Sequence, residues 1–147
     1  MEIKTFFDLI DWTRKLHENL AECLVHCAPQ YADQRTSLLL DYLVKHEKTV
    51  AQLIHQLEGT SSLKVLNAHC DEYLDQRPFL RHQHRGEDFV TLNPDEIMKM
   101  LVQEHEQIIE LYRHLYWHAE TISAQDILKQ LLELEEHQAM KIAQVIE

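Results

Sequence analysis

Two glycines in 147 residues set the tightest limit on what this chain can fold into. Average usage of roughly 7% would supply about ten. Hairpin turns and bulges draw on glycine for backbone conformations that other residues avoid. With three prolines as the only other strong punctuation, the chain has to be built from long helices with few connections. Apolar residues at 45% and charged residues at 27% leave enough material for one buried core, so a single domain over residues 1–147 is expected.

Twenty-five acidic residues against fourteen basic ones give a net charge of −11 with neutral histidines. Binding nucleic acid takes a basic stripe that displaces counterions, so no nucleic-acid partner is expected. The eleven histidines are the unusual component. Protonating all of them would cancel the net charge, so solubility should be poor toward the sequence pI of about 5.4. No apolar run approaches the ~20 residues of a membrane span, and none is expected. Met1-Glu2-Ile3-Lys4 carries an early acid and lacks a signal-peptide profile. Three cysteines, an odd number, then read as reduced thiols in a cytoplasm.

Periodicity places a first helix from Thr5 or Phe6 to Ala28, before Pro29, with Leu9, Thr13, Leu16, Leu20, Cys23, Leu24 and Cys27 on one face. A second runs from an Asp33 cap to Glu58, with Gly59 as its stop and Leu39, Leu43, Val50, Leu53, Ile54 and Leu57 facing inward. The third has the clearest start: Asn93 caps, Pro94 takes the first turn, and Glu96 completes a capping box. Its stripe is Ile97, Leu101, Ile108, Leu111, Leu115, Ala119 and Ile122. Ser123 and Asp126 read as the cap of a fourth helix, with Leu128, Leu131, Ile142 and Ile146 inward. The long connection from about Gly59 to Asn93 holds a fifth, shorter helix capped by Ser61 or Ser62 and carrying Leu63, Leu66, Cys70, Tyr73 and Leu74. Pro78 and Arg81 to Gly86 read as loop. The expected fold is all-α, a four-helix bundle with a short extra helix in the connection between helices two and three. That connection is long enough to cross the bundle, so crossover and up-down-up-down topologies both stay open.

Polar residues that interrupt an apolar stripe carry the functional signal. Glu104 lies between Leu101 and Ile108, and Glu135 between Leu131 and Ile142, with Gln138 one turn later. His46 sits in the stripe of the second helix with Glu47 at its border, and His17 at the edge of the first. All are near mid-helix, so an antiparallel bundle would gather them in one layer. A buried carboxylate costs several kcal/mol unless it is paired or ligating. His17, His46, Glu47, Glu104, Glu135 and Gln138 are therefore the candidate metal ligands; the competing reading is a structural histidine–glutamate cluster that binds nothing. Cys23 and Cys27 fit as small buried hydrophobes. His69-Cys70-Asp71 and His82-x-His84 offer too few ligands to define a site. No phosphate loop or glycine-flanked nucleophile occurs. Lys45-His46-Glu47-Lys48 is the one passable match to a phosphotransfer histidine, and its histidine faces inward.

Helical architecture together with Leu16-His17-Glu18, Lys45-His46-Glu47, Glu104-His105-Glu106 and Glu135-Glu136-His137 resembles the ferritin-like and hemerythrin-like four-helix bundles. The resemblance implies a bundle-core site for iron or manganese, ahead of zinc, with the activity unknown. The paired Glu-x-x-His motif of the ferritin-like pattern is absent, and Glu135-x-x-Gln138 comes nearest to it. Glu18 and Glu22 point to solvent, so the first helix offers the core no carboxylate. His114-x-x-x-His118 has hemerythrin-like spacing but lies off the stripe, and His137 faces outward. The alternative function is a non-catalytic helical module acting through dimerisation or a protein partner. Met98, Val102, Ile109 and Tyr116 form a second apolar row on the third helix, with Trp117 beyond it, and a homodimer through this row is expected.

Overall fold

The structure, a computed structural model, describes residues 3–27, 33–70 and 92–146. Five helices account for most of them: α1 (Phe6–Cys27), α2 (Gln34–Thr60), α3 (Leu63–Leu66), α4 (Pro94–His118) and α5 (Ile122–Ile146). Among the described residues there is no β-strand, only an isolated bridge between Thr5 and His69. The all-α expectation holds.

The helix ends follow local chemistry. Asp33 caps α2 by accepting from the Thr36 amide, and Asn93 and Glu96 form the capping box of α4. Ser62 caps α3, which is only one turn long. Cys70 is buried beyond its end, and the Cys70 amide donates to the Lys4 carbonyl at 2.8 Å. This ties the 67–70 segment to the entry of α1. The rest of the expected fifth helix (Tyr73, Leu74), with Pro78 and the Arg81–Gly86 loop, lies outside the described residues, as does Ala28. Two boundaries differ from the sequence reading. Gly59 does not stop α2: it sits inside the last turn without a left-handed φ, and Ser61 caps instead. The hydroxyl of Thr121, not Ser123, accepts from the Ala124 amide at the start of α5.

The apolar core falls into two clusters. One gathers Phe6, Leu9 and Leu16 of α1, Val50 and Ile54 of α2, Ile108, Tyr112 and Leu115 of α4, and Ile127, Leu128 and Leu131 of α5. The other gathers Leu20 to Cys27 of α1, Leu40 and Leu43 of α2, Ile97 and Leu101 of α4, and Ile142 of α5. The C-terminal halves of α2 and α4 thus share one end of the molecule and their N-terminal halves the other. The two helices point the same way, with α1 and α5 running against them. α1 packs most extensively on α2, and α4 on α5. On α2 the buried face is turned by roughly half a residue step from the sequence stripe: Leu40 is fully buried while Leu39 is only packed against the cluster. That small rotation decides which polar residues enter the core.

Candidate metal centre

Between the two clusters lies a layer of buried polar side chains drawn from the middle of all four long helices. Thr13 and His17 come from α1, His46 and Glu47 from α2, Glu104 and His105 from α4, and Glu135 and Gln138 from α5. Each helix is long enough to bury an apolar stretch on either side of its polar residue. The layer is therefore held in register from both ends.

Glu47 is the hub. It is fully buried, and its two oxygens each meet a histidine from a different helix. Oε2 lies 2.6 Å from His17 Nδ1, and Oε1 lies 2.5 Å from His105 Nε2. The other nitrogen of His17, Nε2, lies 2.7 Å from Glu135 Oε1. His17 therefore bridges two carboxylates, one on each nitrogen, and both bonds are satisfied when the ring is protonated. Burial alone would push the His17 imidazole down, but the Glu135 and Glu47 carboxylates outweigh it and hold the group up at about 10. At neutral pH it is an imidazolium. Burial likewise opposes ionisation of Glu47, yet the facing His105 and His17 rings keep its carboxyl well below the usual carboxylate range. His46 is the reverse case. Burial pushes it down to about 4 and the neighbouring His105 and His17 rings add to this, against the pull of Glu47, so it is neutral. Tyr112, fully buried nearby, is held well above its ordinary value by burial and by the Glu135 carboxylate.

His17, Glu47 and His105 could hold a metal ion: one ligand atom from each lies within 4.8 Å of the others. Ligand atoms bound at ~2.1 Å to one ion stand about 3.0–3.4 Å apart at octahedral or tetrahedral angles. The hydrogen-bonded distances here are a few tenths of an ångström shorter. An ion would therefore replace the shared protons and ease the ligands outward. Because His17 faces Glu47 through Nδ1, Glu135 on Nε2 would remain behind the ligand as the carboxylate that orients the ring.

The structure redistributes the roles read from sequence. His17 is central rather than peripheral, and Glu47 is the fully buried hub rather than a border residue. Both changes follow from small rotations of α1 and α2. Glu135 joins the layer through His17. His46, Glu104 and Gln138 are buried as expected but stand outside the His17–Glu47–His105 set. His105 is the residue that sequence reasoning missed. The spacing Leu101, His105, Ile108, Tyr112, Leu115 follows a four-three-four-three pattern that would have placed it inward. The exposed His137 has no place in the site, and neither have the thiols: Cys23 and Cys27 belong to one apolar cluster and Cys70 to the other. No helix among the described residues is long and apolar enough to cross a membrane. Comparisons with protein-family models, curated proteins and solved structures return no match.

Proposed function

We propose that this chain is a metal-binding four-helix bundle protein, ferritin-like in the broad sense, with a crossover between α2 and α4 and iron or manganese as its ion. The observation that carries the reading is Glu47: a fully buried carboxylate offering one oxygen to each of two histidines on different helices. In water-excluded surroundings such a group has to be paired with a cation, a role that the His17 imidazolium fills in the metal-free protein and that a bound ion would take over. Two imidazoles and a carboxylate without thiolate suit iron or manganese and suit zinc of the catalytic kind as well; iron or manganese is put first on the resemblance to the ferritin-like and hemerythrin-like bundles. His17, Glu47 and His105 are the ligands, and Glu135 orients His17 from outside. When bound, the ion supplies Lewis-acid or one-electron chemistry; no reaction is assigned.

The test is metal content. Protein purified without a histidine tag is loaded anaerobically with Fe2+ or Mn2+, desalted and analysed beside His17→Ala. About one retained ion per chain, lost in the variant, is expected. Equal content in the two proteins, or none in the wild type, overturns the reading.

A second reading is favoured by one surface feature. The N-terminal halves of α2 and α4 flank a groove of about 980 Å³ lined by Leu38, Leu39, Tyr42, Met98, Val102 and Val145, with the charged Arg35, Asp95 and Lys99 among them. Leu38 is 61% exposed, and Met98 and Val102 belong to the second apolar row of α4. In this reading the chain is a helical module that forms a homodimer through that face. Sedimentation at micromolar concentration tests it, and a monomeric mass ends it.

A further inference from the structure

The polar layer contains three imidazoles, and the metal reading uses two of them. His46 is left over. Its Nε2 is buried and has no hydrogen-bond partner among the described residues, and the residue is only 6% exposed. A buried polar atom without a hydrogen bond forfeits its solvation with nothing in return, so a nitrogen in that position calls for an explanation.

The spacing of the rings supplies one. The His17 and His105 centroids are 5.4 Å apart with planes tilted by 42°, and the His46 and His105 centroids are 6.1 Å apart at 46°. A metal bound at ~2.1 Å to a ring nitrogen lies about 3.2 Å from that ring's centre. Two imidazoles on one ion therefore have centroids about 4.5 Å apart at a right angle, rising to about 6.4 Å when they are opposite. Both observed spacings fall within that range, and His105 is common to both pairs.

We propose that His46 Nε2 is the fourth ligand of the ion, which makes the site a three-histidine, one-glutamate centre (His17, His46, Glu47, His105). This rests on the metal reading above. His46 stands outside the set already gathered within 4.8 Å, so it enters as the ion replaces the protons shared by Glu47 and its two histidines and the ligands spread. Tyr42, stacked on His46 at 6.3 Å between centroids and 39% exposed, has solvent on one side and room to follow.

Cobalt(II) is the probe, because each imidazole bound to it gives its own hyperfine-shifted proton resonances. The pair His114, half-buried, and His118, exposed, with ring centroids 4.2 Å apart, is the competing surface site. Both proteins therefore carry His114→Ala and His118→Ala. The protein with His46 intact should show three shifted imidazoles. His46→Gln should show two, with unchanged helical circular dichroism and Co2+ affinity lower by at least the 10–100-fold that loss of an outer-shell partner costs. The same imidazole count in both proteins, or an unchanged affinity, overturns the role of His46 and leaves the metal reading standing. No shifted imidazole signals in the protein with His46 intact overturns both, and this outcome is distinguished by being seen without any change at His46.

Discussion

The charge state of the polar layer makes the stability of the metal-free protein depend on pH in two directions at once. His17 titrates at about 10 in the fold and near 6.5 when unfolded. Its contribution is fully present below pH 6.5 and is lost as pH rises through 10, because unfolded chains give up the proton first. At 1.36 kcal/mol for each pH unit between the two values, that window is worth about 4–5 kcal/mol as an upper figure. His46 has the opposite sign. It titrates at about 4 in the fold against 6.5 unfolded, so acidification from 6.5 to 4 favours the unfolded chain by about 3 kcal/mol. Glu47 adds to the acid side, since its contribution is present above its ordinary value of 4.5 and is lost as pH falls below it. Stability should therefore peak near pH 6.5 and fall on both sides. The assay is urea unfolding of chelator-treated protein at pH steps from 4 to 10, followed by far-ultraviolet circular dichroism, with His17→Gln and His46→Gln alongside. Difference curves against the variants remove the background from the other titrating groups. His17→Gln should flatten the alkaline limb and His46→Gln the upper part of the acid limb. A wild type that loses no more stability than His17→Gln between pH 7 and 10 refutes the imidazolium shared by Glu47 and Glu135.

Three further outcomes follow from the same geometry. Glu47→Leu takes away the partner of His105 and one of the two partners of His17, and should cost about 3–5 kcal/mol in the metal-free protein. Replacing His17, Glu47, His105 and Glu135 together by leucine or methionine should restore wild-type stability or exceed it by ~1–4 kcal/mol; a quadruple variant weaker than Glu47→Leu would contradict this. Manganese binding at pH 7 should release at least one proton from His17, seen as a calorimetric enthalpy that varies with the ionisation enthalpy of the buffer; one enthalpy in every buffer would show that His17 keeps its proton. Gly59→Ala should raise stability by about 0.5–1 kcal/mol, since Gly59 lies inside α2 and an added Cβ meets nothing within 4 Å; a lower melting temperature would count against a helical Gly59.

How far the sequence could be read depends on what a helical wheel can resolve. The caps at Asp33 and Asn93 were legible because capping is local chemistry, carried by one side chain and an amide three residues on. The polar interruptions were legible as a set, because a carboxylate or imidazole inside an apolar stripe stands out whatever the exact orientation of the helix. The assignment of roles within the set was not. One residue is 100° of a helix, so a rotation too small to disturb Leu43, Val50 or Ile54 turns Glu47 from the border to the centre. The same limit hid His105, one step from Glu104, where both turn out to be buried. The direction of α4 was also beyond reach. It is set by which apolar ends pack together, and the stripes of α2 and α4 fit either sense.

On the proposed metal reading the layer is explained by binding rather than by stability. Two apolar clusters, one on each side, already hold the four long helices together. A bundle that continued leucine through positions 17, 47, 105 and 135 would avoid desolvating two carboxylates and their histidines, and buried ion pairs seldom recover that cost. Nor does a four-member network spread across four helices arise from one substitution at a forgiving boundary: His17, Glu47, His105 and Glu135 are each at most 4% exposed, and all are joined by contacts of 2.5–2.7 Å. The arrangement places acceptors and nitrogens around a common hub, and it leaves His46 Nε2 beside them with no hydrogen-bond partner among the described residues. A cluster selected only to be satisfied would have used that nitrogen or omitted it. On the proposed metal reading that nitrogen, on a neutral ring beside protons that can leave, is the one a cation would take up.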